Sequence, residues 1–126
     1  MEEEELEQFI EQVRLDPSII TLNLSNSCLK SLPESIGTLY NLTTIDLTGY
    51  PMDGLPNYLT SIPESIGSLS NLAKLYLHNN RLTSLPESIR YLHSLTELDK
   101  TLEQIILYRI QSKQNETNIN RLINNK

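Results

Sequence analysis

The 126 residues carry ten Lys and Arg against sixteen Asp and Glu, a formal charge of −6, and 38% of them are apolar. That length sets one domain, and that apolar fraction suffices for a packed core and excludes a wholly disordered chain. No apolar run approaches the roughly 20 residues of a membrane helix, so membrane insertion is not expected.

The chain begins MEEEELEQF. Acids stand where a secretory signal carries basic charge, so no export signal is expected. One cysteine, Cys28, cannot close an internal disulfide. Together these point to a reducing, intracellular and cytoplasmic setting. Residues 1–18 hold seven acids and one base, Arg14, and therefore the whole charge excess. The remainder is neutral and has no Lys/Arg-rich stripe, which argues against nucleic acid as a partner, since that affinity comes from neutralising phosphates.

Leu6, Phe9, Ile10 and Val13 fall at helical spacing, with acids on the other face and glutamates in the first turn, where the helix dipole favours them. Asp16-Pro17 ends the pattern, because a residue before proline avoids the helical region. Residues 1–18 are expected to form an amphipathic capping helix; an acidic docking arm for a basic partner is the functional alternative.

From residue 19 the chain repeats. Segments 19–41, 42–71 and 72–94 align, the first and third with 23 residues and the second with 30, and each contains Pro-Glu-Ser-Ile, at 33–36, 63–66 and 86–89. The template L-x-x-L-x-L-x-x-N-x-L-x-x-L-P-x-x-I-x-x-L is filled by Leu or Ile at every apolar slot of all three segments, for example Leu22 and Leu24, Ile45 and Leu47, Leu75 and Leu77. Two leucines two residues apart point to one face of a strand. Strands one repeat apart then stack in parallel, which requires a crossover. The L-P-x-x-I-x-x-L half supplies it, with the +3 spacing of a 3₁₀ turn and a proline that fixes φ at its entry.

This pattern resembles the leucine-rich repeat family, in the 23-residue form similar to intracellular Ras-suppressor and Ras-group-related repeats and to cell-polarity scaffolds. The resemblance covers about residues 19–98. It implies an α/β fold: a short solenoid with parallel strands on the concave side and 3₁₀ or loop crossovers on the convex side, with helical caps at both ends. It also implies a ladder of asparagines that satisfies the turn after each strand. The slot holds Asn57 and Asn80, but Ser27 in the first repeat, so the ladder is expected to be weakest there.

Leu95 and Leu98 begin a fourth, partial repeat that stops at Lys100. Leu102, Ile105, Ile106 and Ile110 continue as a helical stripe, so residues 99–126 are expected to form a C-terminal helical cap and a polar tail. Three repeats are near the minimum for a stable array, and self-association through the C-terminal edge is one expectation.

Chemistry-bearing motifs are absent. The four glycines form no phosphate loop, and neither H-E-x-x-H, C-x-x-C nor G-x-S-x-G occurs. His78 and His93 fall at different points of the repeat, so no metal site is expected, and Cys28 has no base placed beside it. No enzyme activity and no cofactor are expected. The matches to the glycan acceptor pattern at Asn23, Asn41 and Asn115 are chance without export.

A protein-binding surface remains. The solvent-facing strand positions are Thr21, Asn23 and Ser25; Thr44, Asp46 and Thr48; Lys74, Tyr76 and His78; Glu97 and Asp99. Lys74, Tyr76 and His78 form the bulky patch, and aromatic residues are enriched at binding hot spots. Against this stands a plain solvated face with one incidental tyrosine. The seven extra residues of the second repeat fall within 48–56 (TGYPMDGLP), where Tyr50 and Met52 lack template slots and offer a second contact. Against that stands a tolerated loop. The expected function is a non-catalytic protein-interaction module, a signalling scaffold whose resemblance implies a small GTPase or a signalling enzyme as partner. An inhibitory subunit that occludes an enzyme's active site is the alternative, and a self-associating structural module is another.

Overall fold

The computed structural model of the chain describes residues 1–49 and 57–98. The expectations for Tyr50, Met52 and Asp99, for most of the insertion, and for the C-terminal segment 99–126 lie outside the described residues.

Helix α1, Glu3–Arg14, comes first. The Glu2 amide donates to the Glu5 carboxylate at 3.3 Å, and the first turn holds Glu3, Glu4 and Glu5 against the positive end of the helix. Leu6, Ile10 and Val13 are buried and Phe9 packs beside them, so one apolar stripe covers the end of the core. At the helix C-terminus Arg14 hydrogen-bonds Glu11, which holds the Glu11 carboxyl below the ordinary carboxylate range and raises the Arg14 guanidinium. The Ser18 hydroxyl and amide donate to Asp16 at 2.6 and 3.1 Å and lower its carboxyl in the same way.

Four short strands follow: β1 Thr21–Asn23, β2 Thr44–Asp46, β3 Lys74–Tyr76 and β4 Glu97–Leu98. They form one parallel sheet in chain order. The register is in step, with Leu22 opposite Ile45, Ile45 opposite Leu75 and Leu75 opposite Leu98. The template leucines therefore lie in columns. All but Ile19 and Leu82 are buried, and those two pack against the same cluster. Each such side chain contributes about 1.5–3 kcal/mol of burial, which a strand of two or three residues could not supply by its backbone bonds alone.

Each of the first three strands returns through a 3₁₀ turn on the opposite side, at Glu34–Thr38, Glu64–Ser68 and Glu87–Tyr91. The proline before each, Pro33, Pro63 or Pro86, sits in extended conformation, and its carbonyl accepts the first turn bond from Ile36, Ile66 or Ile89. The architecture is a short leucine-rich-repeat solenoid of α/β class.

The repeated Pro-Glu-Ser-Ile has a second role in the stack. Ser65 donates to the Glu34 carbonyl at 2.8 Å, and Ser88 donates to the Glu64 carbonyl at 2.6 Å. At the N-terminal end, where no earlier coil exists to accept, Ser35 donates to the Glu7 carboxylate of α1 at 2.5 Å. This approach requires glycine. A Cβ on Gly37 would lie 2.6 Å from the Ser65 Cβ, and one on Gly67 would lie 2.4 Å from the Ser88 Cβ. The third coil carries Arg90 at the same place.

Candidate functional site

Alternation along the strands puts the leucines inward and their neighbours on the concave face. Thr21, Asn23, Lys74 and Glu97 are exposed there, while Thr44, Asp46 and Tyr76 are half-buried. Asp46 stands opposite Asn23 on one side and Tyr76 on the other. Lys74 stands between Thr44 and Glu97.

The structure brings Asp46, Tyr76 and His78 together around one cavity of about 380 Å³, whose wall is completed by Thr48 and Asn79. The Tyr76 hydroxyl donates to the Glu97 carboxylate at 2.5 Å, which pins the ring across β3 and β4. Asp46 accepts the Thr48 amide at 2.9 Å, so its carboxylate is held at the end of β2. Asn79 sits at φ 60° and donates its side-chain amide to the Gly49 carbonyl at 2.8 Å. Strand alternation does not reach Asn79, because it lies in the turn after β3; the signal for it is its place beside the ladder asparagine. Thr48 departs from the expected solvent-facing position, with only 8% of its surface exposed. The return of the chain at Asn57 encloses it: the Asn57 amide reaches the Thr48 carbonyl at 3.5 Å, and the Asn26 amide reaches the same oxygen at 3.1 Å.

Behind the cavity the two slot asparagines tie successive coils together. Asn57 is 1% exposed. Its side-chain oxygen accepts the amides of Ser27 and Leu29 at 3.2 and 2.9 Å, and its nitrogen donates to the carbonyls of Leu24 and Leu47 at 3.0 and 2.9 Å. Asn80 accepts the Leu59 amide at 3.0 Å and donates to the carbonyls of Leu47 and Leu77 at 2.8 and 3.1 Å. The Ser27 hydroxyl donates to the Ser25 carbonyl of its own turn, at 3.2 Å. The backbone amine of Met1 closes over this first turn by donating to the Ser27 carbonyl at 2.8 Å.

Among the described residues no three His, Cys, Asp or Glu side chains gather where they could hold a metal ion. Cys28 is half-buried in the turn after β1, at φ 55°. No helix of the described residues is long and apolar enough to cross a membrane.

Residues 56–99 match the model of the leucine rich repeat family. Among solved structures, the chain is similar to a leucine-rich-repeat protein of Leptospira interrogans, at 30% identity and a TM-score of 0.54, over 66% of this chain and 25% of that one. It also matches the plant peptide hormone receptor RGFR1 in complex with RGF2, at 30% identity and a TM-score of 0.42, over 65% of this chain and 16% of the receptor. The chain thus spans a quarter or less of the length of these two structures. No curated protein matches it. The coils, their register and the matching segment together define the fold as a leucine-rich-repeat solenoid.

Proposed function

We propose that the chain is a non-catalytic protein-interaction module that meets its partner on the concave sheet face. The observation that carries this reading is the anchored tyrosine. Tyr76 is half-buried, tied to Glu97 at 2.5 Å, and borders a cavity of about 380 Å³ on a face whose other strand residues are small or polar. A pre-oriented aromatic side chain loses little freedom on binding, and such residues dominate interface energetics. The leucine columns are packed inside and leave the strand-face side chains for recognition. Resemblance of the repeat type to Ras-suppressor proteins supports an intracellular signalling setting.

The test compares the full chain with its Tyr76→Ala variant in quantitative partner capture, with thermal unfolding measured on both. A loss of at least about tenfold in capture at unchanged melting temperature supports the concave face, since truncating a hot-spot aromatic costs about 2 kcal/mol or more of binding. Capture that falls only in step with unfolding counts against it.

A further inference from the structure

The joint between α1 and the first coil holds a groove of about 500 Å³, walled by Val13 of the helix and by Leu39 and Leu42 of the coil, and lined also by Ile19, Tyr40 and Asn41. Val13, Leu39 and Leu42 are core residues, and Ile19 packs against the same cluster, so the groove opens onto the edge of the core. One coil further on, the chain closes the equivalent joint itself: Asn71 donates its side-chain amide to the Tyr40 carbonyl at 3.1 Å. Asn41 holds the place of Asn71 in the first coil, is exposed, and has no earlier coil to reach. The surface around the groove is apolar. Of the five large apolar side chains exposed among the described residues, three belong here: Leu15 at 67%, Ile20 at 51% and Tyr40 at 60%. Leu15 directly follows Arg14 and Ile20 directly follows Ile19, both of which line the groove. Of the other two, Met1 stands before α1, and Tyr91 carries the Arg90 guanidinium over its ring at 5.0 Å.

We propose that this joint is a contact between two copies of the chain, each seating its Tyr40 in the groove of the other. The patch carries both an exposed aromatic ring and an apolar hollow, and a two-fold interface requires one surface that complements itself. A ligand that filled the hollow alone would leave Leu15, Ile20 and Tyr40 in water; a second copy covers both. Tyr40 and Asn41 are adjacent in the chain, so a ring entering the groove brings its hydroxyl to the exposed Asn41 amide of the other copy, and the pair repeats across the axis. Charge does not oppose the contact. The first-turn glutamates of α1 lie about 15 Å away along the helix, beyond a Debye length of about 8 Å. At this end of the helix Glu11 is paired with Arg14. Area sets the strength. Leu15, Ile20 and Tyr40 leave on the order of 300 Å² of side chain in water, comparable to the largest apolar patch of an ordinary monomer. With the groove walls, two copies bury about 1,000 Å² in all, the lower bound of specific interfaces. The dimer is therefore weak, with a Kd on the order of 100 µM. It uses none of the concave strand positions and stands independently of the concave-face reading.

The test is sedimentation equilibrium of the 126-residue chain at concentrations from about one tenth to about ten times that Kd. The mass rises from one chain to two and no further. Tyr40→Ala weakens association at least about tenfold, as truncating a central aromatic does. Ile20→Ser, which leaves the ring in place, weakens it too, and Tyr91→Ala, at the other exposed tyrosine, leaves it unchanged. Melting temperatures of the three variants, measured on dilute protein, stay at that of the unaltered chain, because the side chains removed are exposed. In a mixture of isotope-labelled and unlabelled chains, NMR shows Overhauser contacts from the Tyr40 ring of one copy to the Ile19 and Leu42 methyls of the other. A one-chain mass over the whole range, growth past two chains, or a dimer that Tyr40→Ala leaves intact overturns the proposal. Partner capture at chain concentrations well below the Kd separates this surface from the concave face. Capture lost with Tyr40→Ala at unchanged melting temperature gives the patch to another protein and overturns the second copy, whereas capture that depends on Tyr76 and not on Tyr40 supports two separate surfaces.

Discussion

Gly37 and Gly67 are held to glycine by distance. A methyl group at either would press within 2.6 Å of Ser65 or 2.4 Å of Ser88, against Cβ atoms and a carbonyl rather than the flexible end of a long side chain. Gly37→Ala and Gly67→Ala are each expected to destabilise the chain by about 1–3 kcal/mol in urea unfolding, as overpacking does. Ser68→Ala, one residue on, is expected to stay within about 0.5 kcal/mol. Asn57 makes the complementary case. It serves two amides and two strand carbonyls from a fully enclosed position, so Asn57→Ala orphans several buried groups at once and is expected to cost about 2–4 kcal/mol. Ser27→Ala removes one bond within its own turn and is expected to cost less than about 1 kcal/mol. The two asparagines stand in the template and are visible from sequence. The serine contacts are less so: the acceptors are backbone carbonyls of the preceding coil, which no side-chain pattern names. The recurrence of Ser at 35, 65 and 88 is visible, but its meaning needs the stacking distance.

Helix α1 is the element whose removal exposes the first coil. Ile10 is 2% exposed, and Ile10→Ala is expected to lower stability by about 2–4 kcal/mol in chemical denaturation, by lost burial and a residual cavity. Its C-terminal turn is also sensitive to acid. Glu11 and Asp16 have their carboxyls lowered by Arg14 and Ser18, so the folded state binds their protons less readily than the unfolded chain. Their contribution is present above the ordinary carboxylate range and is lost as pH falls through the lowered values. The protection factors of the amides between Val13 and Ser18, taken against the intrinsic exchange rate at each pH, are therefore expected to fall below about pH 4 before those of the strands, and Glu11→Gln is expected to flatten that dependence. The apolar stripe of this helix was legible because its 3.6-residue spacing repeats over three turns. Strand positions on the concave face were legible because alternation names Asp46 and Tyr76. Thr48 and Asn79 were not, because their burial and direction come from the turns after the strands, and one of those turns is interrupted by the insertion.

Across the whole molecule, stability runs along the axis of the stack. Each coil touches its neighbours through strand bonds, the asparagine ladder and the serine contacts, so the array approximates a one-dimensional chain of interfaces. The fold class follows from the sequence because three coils obey one template and no alternative arrangement buries so many leucines in register. Arg90 gives that axis a direction of growth. A further Pro-Glu-Ser-Ile coil laid after Ser94 would have to place its serine where the Arg90 side chain begins, whereas the seam between residues 41 and 42 offers Gly37 below and a matching serine above. Gene duplication can lengthen the array from within, and not past its third coil without first changing one codon. A 23-residue copy of segment 19–41 inserted at that seam is expected to fold and raise the urea midpoint, while the same copy after Ser94 is expected to do so only in the Arg90→Gly background.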